Sequence, residues 1–312
     1  MSLYGLKKFL ITLTLSLLPL SLNGVLALDF TSYNIRVFEP NMVKGYEVTD
    51  LGELGKIISR MNSEFISVQE IRNKQAFKKF IKKNYKHYEV VLGSCGGTGR
   101  QHVGFVYDKR VFRKVSTYED MRFSDIPRKA SVKRSRGSLG CGSLRSVLVG
   151  RFQYLATGRY FYAVGVHLKA GGTPSSMERR WVQYNLLVKL VKELTSSKIK
   201  DIVIMGDFNT TGYLEENEDY DRFKQMLSRA KLKELSRDAP CSAYWNKDRN
   251  EYRYPNKLDH VVANSGFLRK YPSRSQTFSH CKKVRCDIVT ETKLGTSYEK
   301  VSDHCPVNVS FK

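Results

Sequence analysis

The chain has 312 residues, of which 41% are hydrophobic and 27% are charged, and its formal net charge is +23. This composition is that of a globular protein with a sizeable core, and it excludes a collagen, a coiled coil and bulk disorder. The strong positive charge attracts polyanions, so nucleic acid, anionic lipid and cell-wall polymer are the partner classes to weigh.

The first 27 residues are predicted to be a secretory signal peptide. Lys7 and Lys8 precede an almost wholly apolar run over residues 9–22, and small residues favour cleavage after Ala27. The run is short for a membrane span, and an uncleaved anchor is the alternative. We therefore expect residues 28–312 to form the mature protein, secreted or periplasmic, monomeric and without stable membrane insertion.

Hydrophobic periodicity predicts that strands and helices alternate along the mature chain. Alternating apolar residues or short apolar runs predict strands at 28–37, 65–68, 88–92, 103–107, 147–154, 160–168, 202–205, 258–263 and 306–311. Helical spacing predicts helices at 51–61, with Asp50 as its cap, at 74–86 and at 175–194. The alternation predicts one α/β domain with its active site at one rim of its sheets.

Two clusters of basic residues need an interpretation. In the helix at 74–86, Phe77, Phe80 and Ile81 form the apolar stripe, and we interpret the lysines opposite as a solvated face. The second cluster lies among proline, glycine and serine, which predict a loop; it either grips phosphates beside an active cleft or is a solvated loop. The basic residues are Lys78, Lys79, Lys82, Lys83 and Lys86 in the first cluster, and Arg128, Lys129, Lys133, Arg134 and Arg136 in the second.

The chain contains six cysteines, an even number. In an exported protein they are expected to form disulfides. The pairings that the sequence suggests are Cys95 with Cys141, Cys281 with Cys286, and Cys241 with Cys305. A zinc site built from the last four is the alternative, although their spacing fits no common zinc pattern.

Polar motifs stand at the ends of the predicted strands. In chain order they are YNI at 33–35, QEI at 69–71, VHL at 166–168, GDFN at 206–209, LDH at 258–260 and SDH at 302–304. Each motif alone is weak, because a lone Glu or His after a strand is more often structural and Asp and Asn favour turns. The complete, ordered set is what points to a common site.

This set resembles the endonuclease/exonuclease/phosphatase superfamily, and most closely its deoxyribonuclease-I branch. The resemblance covers residues 28–312, which would form a single catalytic domain. It implies an α/β fold of four layers, in which two mixed β-sheets pack face to face with helices on the outside. It also implies phosphodiester hydrolysis with Mg²⁺, or alternatively Mn²⁺ or Ca²⁺.

The resemblance assigns a role to each polar residue. Phosphodiester hydrolysis needs a cation, a base for water, donors for the developing charge and help for the leaving oxygen. By resemblance, the metal site comprises Asn34, Glu70 and Asp303, the catalytic residues are His167, Asp207, Asn209, Asp259 and His304, and Arg145 binds substrate phosphate. In this scheme Asp207 activates water, Asn209 holds a phosphate oxygen, Asp259 orients His304, and His167 lies near the leaving oxygen.

Two departures from that family pattern matter. In deoxyribonuclease I the second histidine pairs with a glutamate, and the position that aligns with it here is Gln101, which cannot ionise. A neutral partner would make His167 less basic, and His102 either compensates or faces solvent. The second departure is Cys305, directly after His304, which would stiffen the catalytic loop if it is bridged.

Three classes of function fit the residues. The first is a secreted nuclease that cuts DNA, and RNA as an alternative, with little sequence specificity. The second is a phospholipid phosphodiesterase of the sphingomyelinase type, and the third is a non-catalytic binding protein. The basic charge and the lack of an exposed aromatic run at a hairpin tip favour the first class over the second. The intact set of acids and histidines argues against the third.

Overall fold

The computed structural model describes residues 28–127, 140–268 and 273–311. The predicted signal peptide and the basic cluster at 128–136 lie outside these residues. Within the described ranges, none of the helices combines the length and the apolar character that crossing a bilayer requires.

The described part of the chain contains fifteen strands in three sheets. The strands are β1 (Leu28–Phe38), β2 (Phe65–Ile71), β3 (Tyr88–Leu92), β4 (His102–Asp108), β5 (Phe112–Asp120), β6 (Val147–Tyr154), β7 (Tyr160–His167), β8 (Ile202–Asp207), β9 (Leu232–Glu234), β10 (Ala243–Trp245), β11 (Tyr252–Asn256), β12 (Asp259–Asn264), β13 (Ser273–Thr277), β14 (Val289–Thr290) and β15 (Val307–Phe311). The first sheet has the order β13-β15-β1-β2-β4-β3, and the second has the order β5-β6-β7-β8-β12-β9. Both are mixed, because β1 and β2 pair in parallel and so do β7 and β8. A small third sheet has the order β10-β11-β14.

The helices begin at residues that can cap them. Asp50 accepts hydrogen bonds from the first turn of α1, Asn73 does so for α2, and Thr173 precedes a proline at the start of α3. The helices are α1 (Leu51–Met61), α2 (Lys74–Asn84), α3 (Pro174–Ser196), α4 (Glu218–Ala230), α5 (Ser265–Leu268), α6 (Ser279–Lys283), α7 (Glu291–Leu294) and α8 (Thr296–Lys300), with a short 3₁₀ turn at Met121–Phe123. In α2 the side chains of Lys78, Lys79, Lys82 and Lys83 are exposed opposite the buried apolar stripe, as expected for a solvated face.

Three hydrophobic clusters separate four layers. The two large sheets enclose a phenylalanine-rich core, in which Phe65 and Phe152 meet edge to face with ring centroids 4.9 Å apart. The outer face of the first sheet is covered by α1 and α2, and that of the second sheet by α3 and α4. The predicted four-layer α/β sandwich is therefore confirmed.

Three disulfides are present, and one of the suggested pairings is confirmed. Cys95 is bonded to Cys141 as suggested, but the other two bonds join Cys241 to Cys286 and Cys281 to Cys305. The suggested local bridge is wrong because the backbone turns sharply between residues 281 and 286, where Arg285 and Cys286 have positive φ. The two side chains therefore meet different parts of the chain. Because all four of these cysteines are bonded in pairs, the zinc alternative is wrong too.

The sheet pairings bring the polar motifs to one edge of the sandwich. In the first sheet the end of β1 lies beside the end of β2, with Asn34 opposite Gln69. In the second sheet Asp207, at the end of β8, lies between His167 on β7 and Asp259 on β12. His304, in the segment just before β15, forms an isolated β-bridge with Ala243 of β10. Side chains that are far apart in the sequence therefore meet at this edge.

Candidate active site

The first sheet presents Glu70 to the edge through an unusual backbone. A bulge interrupts the pairing of β1 and β2 between Asn34 and Phe38, and Val37 has φ of 49° while Glu70 has φ of 62°. Positive φ is costly for a β-branched residue, and strained backbone of this kind concentrates at functional sites. The Val37 N–H donates to Oε2 of Glu70 at 3.0 Å. The bulge therefore directs the N–H of Val37 toward the carboxylate of Glu70, the acid of the QEI motif.

Asn34 joins the two sheets through one amide group. Its Nδ2 donates to Oε1 of Glu70 at 3.1 Å and to Oδ2 of Asp207 at 3.0 Å. Its Oδ1 accepts from the backbone N–H of Arg36 at 3.0 Å. Asn34 is fully buried, so the amide protons offset the repulsion between two buried carboxylates. The residue acts here as a bridge between the two acids.

The second sheet holds Asp207 in a tight turn. Gly206 has φ of 153°, and a Cβ at this position would lie 2.0 Å from the carbonyl oxygen of Val166. Oδ1 of Asp207 accepts from the backbone N–H of Asn209 at 2.8 Å, and Nδ2 of Asn209 donates to the carbonyl of Leu168 at 3.2 Å. Burial raises the pKa of Asp207 to about 6, against the opposing charge of His304. An acid with this pKa is suited to accept a proton near neutral pH.

His304 and Asp259 form a buried pair beside Asp207. Nδ1 of His304 lies 2.7 Å from Oδ2 of Asp259, and its Nε2 lies 3.9 Å from Oδ2 of Asp207. Burial alone would lower the pKa of His304, but the charge and hydrogen bond of Asp259, with Asp207 and Asp303, raise it well above the ordinary value. The imidazole is therefore held as an imidazolium with Nε2–H facing the carboxylates.

Two serines position this pair, and the sequence analysis did not single them out. Oγ of Ser302 accepts from the backbone N–H of His304 at 3.0 Å and donates to the carbonyl of Asn34 at 2.8 Å. Oγ of Ser242 accepts from the backbone N–H of Asp259 at 2.9 Å. Ser302 belongs to the SDH motif and could have been found there. Ser242 lies 17 residues before Asp259 and has no sequence signal.

His167 lies on the other side of the two acids and has a different charge state. Its Nε2 is 3.5 Å from Oδ2 of Asp207 and 3.7 Å from Oε1 of Glu70. Complete burial lowers the pKa of His167 well below the ordinary value, and the charges of Arg145 and His304 lower it further. Among the described residues, its Nδ1 has no hydrogen-bond partner. The ring is therefore neutral, and its Nε2 faces the carboxylates of Asp207 and Glu70.

The expected pairing of His167 with Gln101 is wrong. Nε2 of Gln101 donates to Oε2 of Glu70 at 2.6 Å, so the amide bonds to Glu70 instead of the histidine. His102 does not compensate, because its side chain lies in the first sheet, where burial lowers its pKa and the charge of Lys74 adds to that effect. The neutral state of His167 has its cause in burial and not in a neutral partner.

Arg145 and Asp303 complete the set of predicted residues. Nε of Arg145 donates to the carbonyl of His167 at 3.2 Å and Nη2 donates to the carbonyl of Leu168, so the guanidinium braces the end of β7. Its charge acts on Glu70 and Asp207. Asp303 is half-buried, and its charge acts on Glu70 and on His304. All nine predicted residues therefore lie at or beside one cluster.

The donor set fits a hard divalent cation. Asp207, Asp259 and His304 each offer a ligand atom, and these atoms lie within 4.8 Å of one another. Asp259 and His304 already bond to each other, and Glu70, from the first sheet, and the half-buried Asp303 add two more carboxylates whose charges interact beside this group. Carboxylate oxygens are the ligands that Mg²⁺, Mn²⁺ and Ca²⁺ prefer.

A cleft with exposed apolar residues opens beside Asn209, and the sequence analysis missed it. Its volume is about 660 Å³, and its walls include Trp245 of β10, Tyr254 of β11 and Ile288. Trp245 and Tyr252 are exposed on this hairpin. The short strands β10 and β11 lack the apolar alternation that would have revealed them.

Comparison with known proteins agrees with this geometry. Residues 31–304 match the Endonuclease/Exonuclease/phosphatase family. The endonuclease/exonuclease/phosphatase from Bacteroides vulgatus is 16% identical, with a TM-score of 0.60, over 92% of this chain and 98% of its own. The human Nocturnin catalytic domain with bound sulfate anion is 13% identical, with a TM-score of 0.59, over 92% of this chain and 94% of its own. D. rerio TDP2 complexed with single strand DNA product is 12% identical, with a TM-score of 0.57, over 92% of this chain and 99% of its own.

At these identities the solved structures establish the fold, and the family match establishes the relationship. No curated protein sequence is significantly similar to this chain. Members of the matched family are hydrolases of phosphodiester bonds and generally use divalent metal ions. Because the match spans nearly all of the described residues, the chain belongs to the endonuclease/exonuclease/phosphatase family.

Proposed function

We propose that this protein is a secreted, Mg²⁺-dependent nuclease that hydrolyses DNA, and RNA as a further substrate, with little sequence specificity. The observation that carries the proposal is the buried assembly in which Asn34 holds Glu70 and Asp207 together beside His304 and Asp259. Hydrolysis of a phosphodiester needs a cation, a base and hydrogen-bond donors at one point. The assembly contains residue types for each of these needs.

Glu70 and Asp303 are the residues that would hold the cation. The bound ion would neutralise the phosphate and polarise its oxygens. Asn34 and Gln101 both donate to Glu70, and the Val37 N–H fixes its Oε2, so Oε1 keeps a lone pair that can face a ligand. Neighbouring donors of this kind orient a metal-binding carboxylate.

Asp207, Asn209 and His304 would act on the reacting phosphate. Asp207 removes a proton from the attacking water, because burial keeps its pKa near neutral. Nδ2 of Asn209 and Nε2–H of His304 donate to phosphate oxygens as negative charge grows on them. Asp259 serves His304 by fixing the ring through Nδ1 and by keeping it charged.

His167 would act from its neutral form. Its Nε2 lies 3.5 Å from Oδ2 of Asp207, the same oxygen from which Nε2 of His304 lies 3.9 Å. A neutral imidazole with a proton on Nε2 can donate a hydrogen bond to the leaving oxygen. Arg145 contributes its positive charge next to the two acids while it holds the backbone at His167.

The net charge supports nucleic acid as the substrate. A chain with a formal charge of +23 attracts a polyanion over long range, and the catalytic residues alone do not distinguish nucleic acid from lipid. Among proteins of the same fold, one was solved with a single strand DNA product. Three disulfides agree with export to an oxidising compartment.

The experiment that tests the proposal compares three substrates. Purified residues 28–312 are incubated with plasmid, with RNA and with sphingomyelin vesicles, each with Mg²⁺ and with excess chelator. We expect plasmid cleavage that the chelator abolishes and that the Glu70→Gln variant lacks. Hydrolysis of the vesicles without cleavage of nucleic acid would replace the nuclease proposal by the phospholipid alternative.

A further inference from the structure

We propose that the cleft beside Asn209 binds one unpaired nucleobase of the substrate, stacked on Trp245 and Tyr254, and that this makes unpaired strands the preferred substrate. The inference rests on the proposed nuclease function. It adds to that function a recognition site and a strand preference, neither of which the catalytic residues specify.

The position of the cleft ties it to the reaction. Its lining includes Asn209, which is proposed to hold a phosphate oxygen, and Leu258, the neighbour of Asp259. A phosphate on Asn209 would therefore have the base of an adjoining nucleotide within reach of the cleft. The volume of about 660 Å³ exceeds what a phosphate group alone would occupy.

The walls of the cleft have the chemistry of a base-binding site. Trp245 and Tyr254 are directly paired across β10 and β11, so their side chains project to the same side of the hairpin. Trp245 is 47% exposed and Ile288 is 57% exposed, although both are large and apolar. Flat aromatic groups that remain open to solvent beside polar groups suit a planar ring that carries its own hydrogen-bonding edges.

The polar groups of the cleft suit the rest of a nucleotide. Lys247 lies in the lining and pairs with Glu215 at 3.0 Å, and both side chains are largely exposed. Exposed ion pairs are weak, so Lys247 can exchange Glu215 for a backbone phosphate. Asn256 offers amide groups near Trp245 and Tyr254.

Two loops that line the cleft, at Gly171 and at Thr211, are held together by buried contacts. Arg180 is fully buried, donates to the carbonyl of Gly171 at 3.0 Å and pairs with Asp219 at 2.7 Å. Asp219 in turn accepts from the backbone N–H of Thr211 at 2.7 Å. One buried ion pair therefore fixes two loops that line the cleft. A site held in this way does not need to reorganise when a ligand enters, which favours binding.

The occupant must be an unpaired base. In a duplex both faces of each base are covered by its neighbours, so a base can stack on Trp245 only after it leaves the duplex. A single strand has no such requirement, and aromatic stacking accepts every base. We therefore expect a preference for unpaired strands without a preference for sequence.

The first experiment measures the contribution of the base. The parent protein and the Trp245→Ala and Tyr254→Ala variants are compared on a single-stranded oligonucleotide and on the same oligonucleotide with abasic spacers. For the parent, kcat/KM should be about 5- to 150-fold higher with bases present, which is the effect of one stacked base. In Trp245→Ala this ratio should fall close to one, and Tyr254→Ala should reduce it partly. The matched control is Tyr118→Ala, which removes an aromatic side chain that is 49% exposed on β5, and it should keep the parent ratio.

The second experiment observes the contact itself. Trp245 is one of only two tryptophans in the chain, and the other, Trp181, is half-buried with its Nε1 bonded to Asp219 at 2.8 Å. Binding of an unpaired oligonucleotide to the Glu70→Gln variant should quench tryptophan fluorescence, and the additional Trp245→Phe exchange should remove most of that quenching. Melting temperatures of all variants should show that they are folded.

Three results would overturn the inference. If the parent cleaves nucleic acid but treats base-bearing and abasic strands alike, the inference fails and the nuclease proposal stands. If it cleaves duplex faster than the same sequence unpaired, the inference fails in the same way. If it cleaves no nucleic acid, and Trp245→Ala weakens binding to anionic vesicles instead, both proposals fail and the cleft is a lipid contact.

Discussion

A methyl group added at Gly206 should lower both the stability of the protein and its activity, because Gly206 positions Asp207. It lies between Met205 of the core and Asp207 of the site, with φ of 153°. A Cβ built there would be 2.0 Å from the carbonyl oxygen of Val166 and 2.8 Å from a methyl group of the same residue. The nearest atom belongs to the backbone of β7, which pairs with β8 at this point, so no side-chain rotation can relieve the contact.

The Gly206→Ala exchange should therefore destabilise the protein and displace Asp207. Backbone strain and overpacking each cost about 1–3 kcal/mol, so the sum is about 2–6 kcal/mol. At roughly 2–4 °C for each kcal/mol, the melting temperature should fall by about 4–24 °C. Because Asp207 follows directly, a shift of about 1 Å should also lower kcat by about 100-fold.

The assay compares melting temperature and plasmid cleavage with those of a matched glycine variant. Gly55 lies within α1, and a Cβ there meets its nearest atom, the hydroxyl oxygen of Tyr85, at an ordinary 3.8 Å. Gly55→Ala should raise stability by about 0.5–1 kcal/mol, because alanine favours a helix, and should leave cleavage unchanged. If Gly206→Ala melts within about 1 °C of the parent and cleaves plasmid equally well, the geometry derived for this turn is wrong.

Three further predictions concern the chemistry of the site. Glu70→Gln should lower cleavage by orders of magnitude at an almost unchanged melting temperature, and activity that persists in excess chelator would contradict the role of the cation. His304→Ala should abolish cleavage, whereas the loss in His167→Ala should be rescued by a substrate with a better leaving group; equal rescue of both variants would refute their separate roles. The value of kcat/KM should fall at acid pH, because protonated Asp207 cannot accept a proton from water. Burial raises the pKa of Asp207 to about 6, and a bound cation would lower it, so the fall should be centred near pH 6 or below. A rate that rises as the pH falls below 5 would show that Asp207 is not the base.

The sequence predicted the fold and the meeting of the polar motifs at one edge because both depend on residue type and strand order. Each motif follows a buried strand, and the parallel pairs β1–β2 and β7–β8 carry the strand ends to one edge. Asn34 and Asp207 are 173 residues apart in the chain, and Nδ2 of Asn34 donates a hydrogen bond to Oδ2 of Asp207. Ordered motifs at strand ends are thus sufficient to predict which side chains meet.

The sequence could not predict the partners that depend on packing alone. Gln101 was assigned to His167 but bonds to Glu70, because a bulge in β2 turns the acid toward it. The suggested bond between Cys281 and Cys286 is wrong, because close spacing in the sequence does not show where two side chains point after a sharp turn. Positive φ at Glu70 and Val37 has no signature in these residue types.

The two histidines show why charge state is a property of the folded chain. His304 and His167 are both buried, and burial by itself lowers the pKa of each. They differ in the partner of the second ring nitrogen, which is the carboxylate of Asp259 for His304, whereas Nδ1 of His167 has no partner among the described residues. The charges of Asp259, Asp207 and Asp303 therefore outweigh burial and raise the pKa of His304, whereas the charge of Arg145 adds to burial and lowers the pKa of His167. That asymmetry gives the proposed site one donor for growing phosphate charge and another for the leaving oxygen.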